Sequence, residues 1–303
     1  MSGPPPTPIA GTAGAAGADN VLRGVALMVA STFLIAAMHI AIRHVSAAIH
    51  PFEIAFFRSL FALLVVLPWF VRYGLGPLRT RRIGLHGLRA IFNAASMLAF
   101  FYALSIAPLA EVTALGFTAP IFATALAALL LGEVVGLRRW SAIVIGFLGV
   151  LLIVRPGLGE VGPGQLLTLG SSLSWAGALL VIKTLSRTDS SVTIISYMGL
   201  LMMPLVLIPA LFVWQWPDPA QLLWLVLIGV LGGAGQLCMT ESLRLADTAV
   251  VMPIDFCKLL WVSALAFAIF GEIPDAFTWL GGSVIFASTL YITYRERALR
   301  SRR

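Results

Sequence analysis

The chain has 303 residues, of which 59% are hydrophobic and only 11% are charged. Soluble globular proteins carry roughly 45–50% apolar and about 25% charged residues, so this composition excludes a soluble protein and indicates an integral membrane protein. The net charge is +7. We interpret the excess basic residues as loop residues that bind anionic lipid headgroups, rather than as a nucleic-acid-binding surface.

The chain opens with a Pro-, Gly- and Ala-rich stretch, MSGPPPTPIAGTAGAAGADN, that has no basic region like that of a signal peptide. We predict that residues 1–21 form a disordered cytoplasmic tail. At the other end, residues 295–303 are predicted to be a short basic cytoplasmic tail.

Apolar windows of about 20 residues recur along the whole length, each long enough to cross a hydrocarbon core about 30 Å thick. Because lipid offers no partner to an open strand edge, these windows predict an all-α membrane protein with about ten transmembrane helices. The predicted spans are residues 22–45, 51–72, 83–107, 109–131, 138–155, 163–185, 191–213, 220–245, 247–271 and 276–294.

The distribution of basic residues predicts the orientation. Sixteen of the twenty Lys and Arg residues fall on one side of this arrangement, whereas Arg43 and Arg155 fall on the other, and Arg58 and Lys258 lie within spans. By the positive-inside rule, both termini and the loops after even-numbered spans are predicted to be cytoplasmic.

The chain contains an internal repeat. A shift of 139 residues aligns LGEVVGLRRW with FGEIPDAFTW, matching Gly132 with Gly271, Glu133 with Glu272 and Trp140 with Trp279. A shift of 140 matches Gly24 with Gly164, Ser31 with Ser171, Ala36 with Ala176 and Ser46 with Ser186. We therefore predict two five-helix repeats, residues 22–155 and 156–294. Since five is odd, the second repeat enters the membrane from the opposite side, and inverted repeats are typical of secondary transporters.

Ten short spans in two halves, each with a Gly-Glu pair after its fourth helix and a Gly-rich fifth helix (IGFLGVLLIV and LGGSVIFASTLYI), resemble the drug/metabolite transporter superfamily, EamA type. Within that group the chain most resembles the YddG-type bacterial amino-acid exporters. The resemblance implies a bacterial inner-membrane protein that exports aromatic and other neutral amino acids. One departure is that Leu259 stands in the second half where the first half has Pro120.

Two opposite charges in the ninth span are the first candidates for a substrate site. An ionisable group at the bilayer centre costs roughly 2.5–3.5 kcal/mol on insertion scales and therefore needs a reason. Lys258 lies near the midplane and Asp255 lies three residues earlier, on the same helix face, where the two can pair. We predict that Lys258 meets a substrate carboxylate while Asp255 keeps Lys258 charged or contacts an amino group; the alternative is a structural pair.

Other polar residues within spans are further candidates. Arg58 lines the cavity or gate, or else extends to the headgroups. His39 is the natural proton carrier if flux is proton-linked, or else a helix-packing histidine. Asn93 and Gln236 are amides in equivalent helices of the two halves that could bind substrate or a neighbouring helix.

Two tryptophans, Trp175 and Trp261, fall at mid-span and either pack against lipid or core or stack on an aromatic substrate. Pro120 and Pro253 interrupt the fourth and ninth helices, and these kinks are predicted to matter for gating. Gly233, four residues after Gly229, is predicted to allow close helix packing or a hinge motion.

Other motifs carry no function. GLGEVG at 157–162 fits a dinucleotide pattern but lies in a loop between spans, and there is no Walker lysine. The four histidines have no metal-ligand spacing, and Cys238 and Cys257 lie within spans. We therefore predict no metal, no cofactor and no nucleic-acid partner, and we expect a small-molecule substrate, amino acids above all, and the lipid bilayer as partners.

The sequence favours a secondary transporter, not an enzyme, that exports small amphipathic metabolites, amino acids above all, by alternating access. One alternative is efflux of cationic drugs or another metabolite. A second, of another class, is an intramembrane lipid-modifying enzyme, for which no nucleophile and base can be assembled.

Overall fold

The computed structural model describes residues 10–61, 80–131, 137–155, 161–185, 188–189, 191–246 and 248–300, and within these ranges the regular structure is helical throughout. The helices are α1 (Ala10–Val45), α2 (residues 51–61), α3 (Ile83–Ile106), α4 (Leu109–Gly116), α5 (Ala119–Leu131), α6 (Leu137–Val154), α7 (Pro163–Leu185), α8 (Ser191–Leu211), α9 (Pro219–Leu245), α10 (Thr248–Asp255), α11 (Cys257–Phe270) and α12 (Ala276–Arg300).

Within the described residues these helices cover all or part of each of the ten predicted spans, two of which are broken. The predicted fourth span consists of α4 and α5, and the predicted ninth span consists of α10 and α11. Six helical stretches of the described residues are long and apolar enough to cross a membrane, including Leu109–Leu130 and Pro253–Phe270 across the two breaks. The all-α fold with two inverted repeats is thus confirmed.

Helix α1 begins at Ala10, within the stretch assigned to the N-terminal tail. Helix α12 likewise continues to Arg300, into the predicted basic tail. The second half of the predicted span 51–72, and the Gly132–Glu133 pair, lie outside the described residues.

The main helix pairs connect the two repeats. Helix α1 packs along α9, α3 packs along α7, and α6 packs along α12. In the repeat alignment α1 corresponds to α7 and α3 to α9, so the first two pairs are equivalent. The two halves therefore interlock around an approximate two-fold axis.

Matching hydrogen bonds support this two-fold relation. Ser31 on α1 donates to the carbonyl of Gly235 on α9 at 2.8 Å, and Ser171 on α7 donates to the carbonyl of Ser96 on α3, also at 2.8 Å. Both donors are related by the shift of 140, and both acceptors by the shift of 139. The same chemistry thus joins both equivalent helix pairs.

Small residues bring these helices close together. A Cβ atom placed on Gly24 would lie 2.6 Å from Ala246 Cβ, and one placed on Gly164 would lie 2.4 Å from Ala107 Cβ. These two contacts are again equivalent in the repeat. Close backbone approach at small residues is a usual way of joining helices in lipid, where apolar side chains gain little by association.

The α6–α12 pair has the tightest approach to a backbone atom. A Cβ atom on Gly281 would lie 2.6 Å from the Gly149 carbonyl oxygen, which cannot move without shifting the helix. We expect Gly281→Ala to lower the free energy of unfolding by about 1–3 kcal/mol, the usual cost of overpacking. Thermal unfolding in detergent measures this change.

Gly170→Ala on α7 is the matched control, because a Cβ atom there would have nothing within 4 Å. Its unfolding midpoint should stay the same or rise, since alanine favours a helix interior by about 0.5–1 kcal/mol over glycine. Equal midpoints for the two variants would contradict the packing argument.

Candidate substrate-binding site

The two broken spans meet at the approximate two-fold axis. The breaks fall at Phe117 and Phe256, which correspond in the repeat, and their ring centroids lie 5.5 Å apart. Phe286 of α12 stacks on Phe256 with a centroid distance of 4.3 Å. An aromatic group therefore marks the point where both halves contribute irregular backbone within the membrane.

Nearby hydroxyl groups satisfy carbonyls at the first break. Thr118 donates to the Leu115 carbonyl at 2.7 Å, and Thr289 on α12 donates to the Phe117 carbonyl at 3.3 Å. Pro120 has no N–H to return to the carbonyl of Gly116, so the first half breaks here for a covalent reason. Non-helical backbone at this depth is tolerated when protein groups re-satisfy it.

The second half breaks at the equivalent place without an equivalent proline. Pro253 lies inside α10, and the break follows three residues later at Phe256. The Leu259 N–H bonds to the Phe256 carbonyl at 3.0 Å, so the chain makes a tight turn and α11 continues. The prediction that both spans are interrupted near proline thus agrees with the structure, and the role of these breaks in gating stays a prediction.

Asp255 and Lys258 stand on either side of the second break. Lys258 Nζ lies 3.3 Å from Asp255 Oδ2, so the pairing expected from their spacing is present. Lys258 Nζ also lies 4.8 Å from the centroid of Phe117, over the face of the ring. The lysine is therefore shared between a carboxylate of its own half and an aromatic ring of the other half.

His39 and Arg58 belong to the same region. His39 is 4% exposed, its ring lies 5.3 Å from Phe100, and its Nδ1 atom has no hydrogen-bond partner among the described residues. A Cβ atom on Gly116, at the end of α4, would lie 3.4 Å from the same Phe100 ring. His39 on α1 is therefore connected through Phe100 to the first break, next to Phe117 and Lys258.

Arg58 points into the protein rather than towards the membrane surface. Its Nη1 atom lies 3.7 Å from Met97 Sδ on α3, and its Nε atom would lie 3.1 Å from a Cβ atom on Gly232 of α9. Within the described part of the chain, no carboxylate forms an ion pair with Arg58, and the buried Nε has no partner. Among the described residues the partly buried guanidinium therefore has no carboxylate to balance its charge.

Asn93 and Trp261 also carry unpaired buried atoms. Asn93 is 2% exposed, and neither its amide oxygen nor its nitrogen has a partner among the described residues. It lies one helical turn before Met97, on the face of α3 that Arg58 contacts. Trp261 Nε1 is likewise unpaired, and its ring meets Phe33 edge-on at 5.6 Å.

Three other predicted residues are not brought into these contacts. Gln236 is exposed on α9, and Trp175 is 40% exposed on α7 with no described aromatic ring against it. A Cβ atom on Gly233 would have nothing within 4 Å, so the predicted close packing there is wrong. Packing contacts fall instead at Gly229, Gly232 and Gly235, which lie about one turn apart and face α1 and α2.

Sequence reasoning missed the aromatic residues of the site. Three phenylalanines contact predicted site residues, and Phe256 packs on one of them: Phe33 meets Trp261, Phe100 meets His39, and Phe117 meets Lys258 and Phe256. A phenylalanine inside an apolar span is nevertheless common and gives no signal by itself. The only available signal was that Phe117 and Phe256 match in the repeat alignment.

Ion pairs join the two halves at the end predicted to be external. Arg43 donates to the Leu104 and Ala107 carbonyls at 2.9 and 3.0 Å and pairs with Glu272 at 3.0 Å. Glu272 also accepts a hydrogen bond from the Leu109 N–H at 3.0 Å. One arginine thus satisfies the end of α3, one glutamate satisfies the start of α4, and the pair closes this end between the repeats.

A second pair, Arg155 with Asp275, lies at the same end. Burial would raise the pKa of Asp275, but hydrogen bonds from Thr278 and the nearby Arg155 guanidinium outweigh it and hold the pKa below its usual value. The carboxylate is therefore charged at neutral pH, and this end is closed by two pairs that each contain one residue from each half. Across the described residues, no group of three His, Cys, Asp or Glu side chains could hold a metal ion.

The sequence model of the EamA-like transporter family matches the chain twice, at residues 22–155 and 162–294. A riboflavin transporter of Vibrio cholerae is 34% identical over 80% of this chain and 83% of its own length. An S-adenosylmethionine uptake transporter of Rickettsia bellii is 28% identical, covering 86% and 90%. A pseudopaline exporter of Pseudomonas aeruginosa is 27% identical, covering 92% and 99%.

None of these three relatives is named as an amino-acid exporter, so the narrower likeness to YddG-type exporters finds no support in them. Their names give three different substrates, riboflavin, S-adenosylmethionine and pseudopaline, and one is named for uptake while another is named for export. The three relatives therefore share neither a substrate nor a direction of transport. All three are named as transporters or exporters. With both halves matched along nearly their full length, the chain belongs to the EamA-like transporter family of the drug/metabolite transporter superfamily.

Proposed function

We propose that this protein is a secondary transporter that moves a small amphipathic metabolite by alternating access between its two inverted halves. The observation that carries this proposal is the meeting of two broken spans beside buried polar atoms that have no partner among the described residues, on His39, Arg58, Asn93 and Trp261. Buried polar groups without partners are energetically costly within a membrane, so their presence indicates a functional site. A substrate bound at the axis would satisfy them from both halves.

The proposed substrate combines a planar ring with an anionic group. Phe117, Phe256, Phe100 and Trp261 supply ring faces and edges, and Lys258 supplies a positive charge for a carboxylate. Amino acids, aromatic ones among them, are the simplest solutes of this kind and remain our candidates, together with larger ring-bearing metabolites such as riboflavin. Export is the direction that we propose.

A cationic solute is a second candidate, because the Rickettsia bellii relative is named for S-adenosylmethionine, which carries a sulfonium charge. In that case Asp255, rather than Lys258, would be the essential residue. The charge of the region argues against it, since among the described residues Asp255 is paired with Lys258 and Arg58 has no carboxylate partner.

We also propose that the protein resides in the bacterial inner membrane with both termini in the cytoplasm. The support is the placement of sixteen of the twenty basic residues on one side of the ten-span arrangement. The ion pairs Arg43–Glu272 and Arg155–Asp275 would then close the periplasmic end of the molecule.

The proposal is tested by flux into proteoliposomes containing the purified protein. A panel of aromatic and neutral amino acids, riboflavin and S-adenosylmethionine is expected to include at least one solute with saturable, protein-dependent flux. Empty liposomes are the control for passive leakage, which matters for ring-bearing solutes. Absence of saturable flux for every solute of the panel would count against this function.

A further inference from the structure

We infer that Arg58 is the anion anchor of this site, and that the transporter therefore selects solutes that carry an anionic group over solutes of the same ring that lack one. The inference rests on the proposed function and names its substrate class by charge: a carboxylate or phosphate attached to a planar ring. Arg58 supplies the uncompensated charge that decides this selectivity, and Lys258, whose charge Asp255 already balances, contributes to binding beside it.

The two cations of the site differ in how far they are compensated. Lys258 already has a carboxylate at 3.3 Å and an aromatic face at 4.8 Å, so the Asp255–Lys258 pair is neutral as a whole. Among the described residues Arg58 contacts neither a carboxylate nor the face of an aromatic ring. Its only described side-chain acceptor is the thioether of Met97 at 3.7 Å, which is a weak acceptor. Burying an unpaired charge is strongly unfavourable. An anionic group of the substrate would therefore gain more binding free energy by pairing with Arg58 than with Lys258.

The position of Arg58 excludes the simpler explanation that it reaches the headgroups. It lies seven residues after the start of α2 at residue 51, about 10 Å along the helix. Its Nε is buried, and its guanidinium lies against α3 and α9 rather than extending along α2 towards the membrane surface. The side chain is held at the interface of three helices from both halves.

The surroundings suit an oxyanion attached to a ring. A Cβ atom placed on Gly232 would lie 3.1 Å from Arg58 Nε. Because glycine has no side chain, α9 leaves room for the guanidinium plane at this position. The planar fork of arginine binds carboxylate and phosphate oxygens in pairs. His39 Nδ1 and the Asn93 amide are buried, have no partner in the described part of the chain, and add further polar groups to this region, while Phe100 lies against His39.

Two matched pairs of probes test this inference. The two members of each pair share the same ring system and differ in charge. Flavin mononucleotide and riboflavin differ by a phosphate, and indole-3-propionate and indole-3-propionamide differ by a carboxylate charge. Equilibrium binding to the protein in lipid nanodiscs is the measurement. We expect the anionic member of at least one pair to bind at least about tenfold tighter, and the pair that shows the preference identifies phosphate or carboxylate as the group.

Arg58→Gln is expected to abolish this preference, weakening the anionic member about 10- to 100-fold and the neutral member less than about threefold. Arg58→Lys should restore part of the preference, because it keeps the charge but loses the planar fork. Equal weakening of both members would mean that Arg58 only supports packing, and would overturn the inference.

Gly232→Ala provides a second variant that retains the arginine. The added Cβ atom would lie 2.8 Å from Met38 Sδ and 3.1 Å from Arg58 Nε, so both side chains must shift. We expect weaker binding of the anionic member only, whereas Gly170→Ala, with nothing within 4 Å, should bind both members as the wild type does. Unfolding midpoints of all variants show whether each one is folded.

Failure of this inference is distinguishable from failure of the proposed function. Saturable flux of any solute without an anion preference, or with a preference that survives in Arg58→Gln, overturns the role of Arg58 and leaves transport intact. Absence of flux for the whole panel counts against transport itself.

Discussion

Lys258→Ala is expected to weaken binding of a carboxylate-bearing solute about 10- to 100-fold, whereas Asp255→Asn should leave that binding unchanged or make it tighter. The alanine variant removes a cation and also leaves the Asp255 carboxylate without its partner at 3.3 Å. A charge-assisted hydrogen bond of about 1.5–3 kcal/mol is lost, and the remaining carboxylate repels the solute. Equilibrium binding in nanodiscs and flux into proteoliposomes both measure this change.

The opposite order of effects identifies the rival substrate class. A cationic solute would lose binding in Asp255→Asn and tolerate Lys258→Ala, because such a solute gains nothing from the lysine. The double variant Asp255→Asn/Lys258→Gln removes both charges and leaves none unpaired, so it should fold at least as well as either single variant. An unchanged binding constant for every solute in Lys258→Ala would contradict a substrate role for the lysine.

The sequence predicted those features that depend on composition and on spacing within one helix. Ten spans follow from apolar length, and the Asp255–Lys258 pair follows from a separation of three residues. The repeat predicted that the two halves would be related, and the paired bonds of Ser31 and Ser171 agree with that relation. Each of these features is visible without knowing which helices become neighbours.

The features that the sequence did not predict arise between helices distant in the chain. Gly232, and not Gly233, faces Arg58, because the face that α9 turns towards α2 depends on the packing of both halves. Gln236 occupies an equivalent helix to Asn93, yet it is exposed while Asn93 is buried. The proline of the ninth span lies before its break rather than after it, so a proline position alone does not locate the break.

Glu272→Gln is expected to open the predicted external end of the transporter. The neutral amide can still accept from the Leu109 N–H, but it no longer balances the charge of Arg43, which then bonds only carbonyl oxygens across its described contacts. The side chains of the pair are 24% and 23% exposed, so the pair is worth more than a surface ion pair, about 1–2 kcal/mol. A change of this size shifts a two-state equilibrium about 5- to 30-fold.

Cys257, at the break beside Lys258, reports the opening. In a Cys238→Ala background, a membrane-impermeant maleimide added on the external side should label Cys257 about 5- to 30-fold faster in Glu272→Gln than in the parent protein. Glu241→Gln is the control, because Glu241 forms an exposed pair with Arg244 three residues away on the same helix. Equal labelling rates in all three proteins would contradict a gating role for Glu272.

The internal repeat extends this test to the opposite end of the molecule. The shift of 140 relates Arg43 to Lys183, and the shift of 139 relates Glu272 to Glu133, so a basic and an acidic residue recur at the matching positions. If the two halves exchange access, the same chemistry must favour closure at each end in turn. Glu133→Gln should therefore slow labelling of Cys257 from the external side, and the Glu133→Gln/Glu272→Gln double variant should return towards the parent rate. Acceleration by both single variants would mean that these glutamates stabilise the fold in general and do not control access.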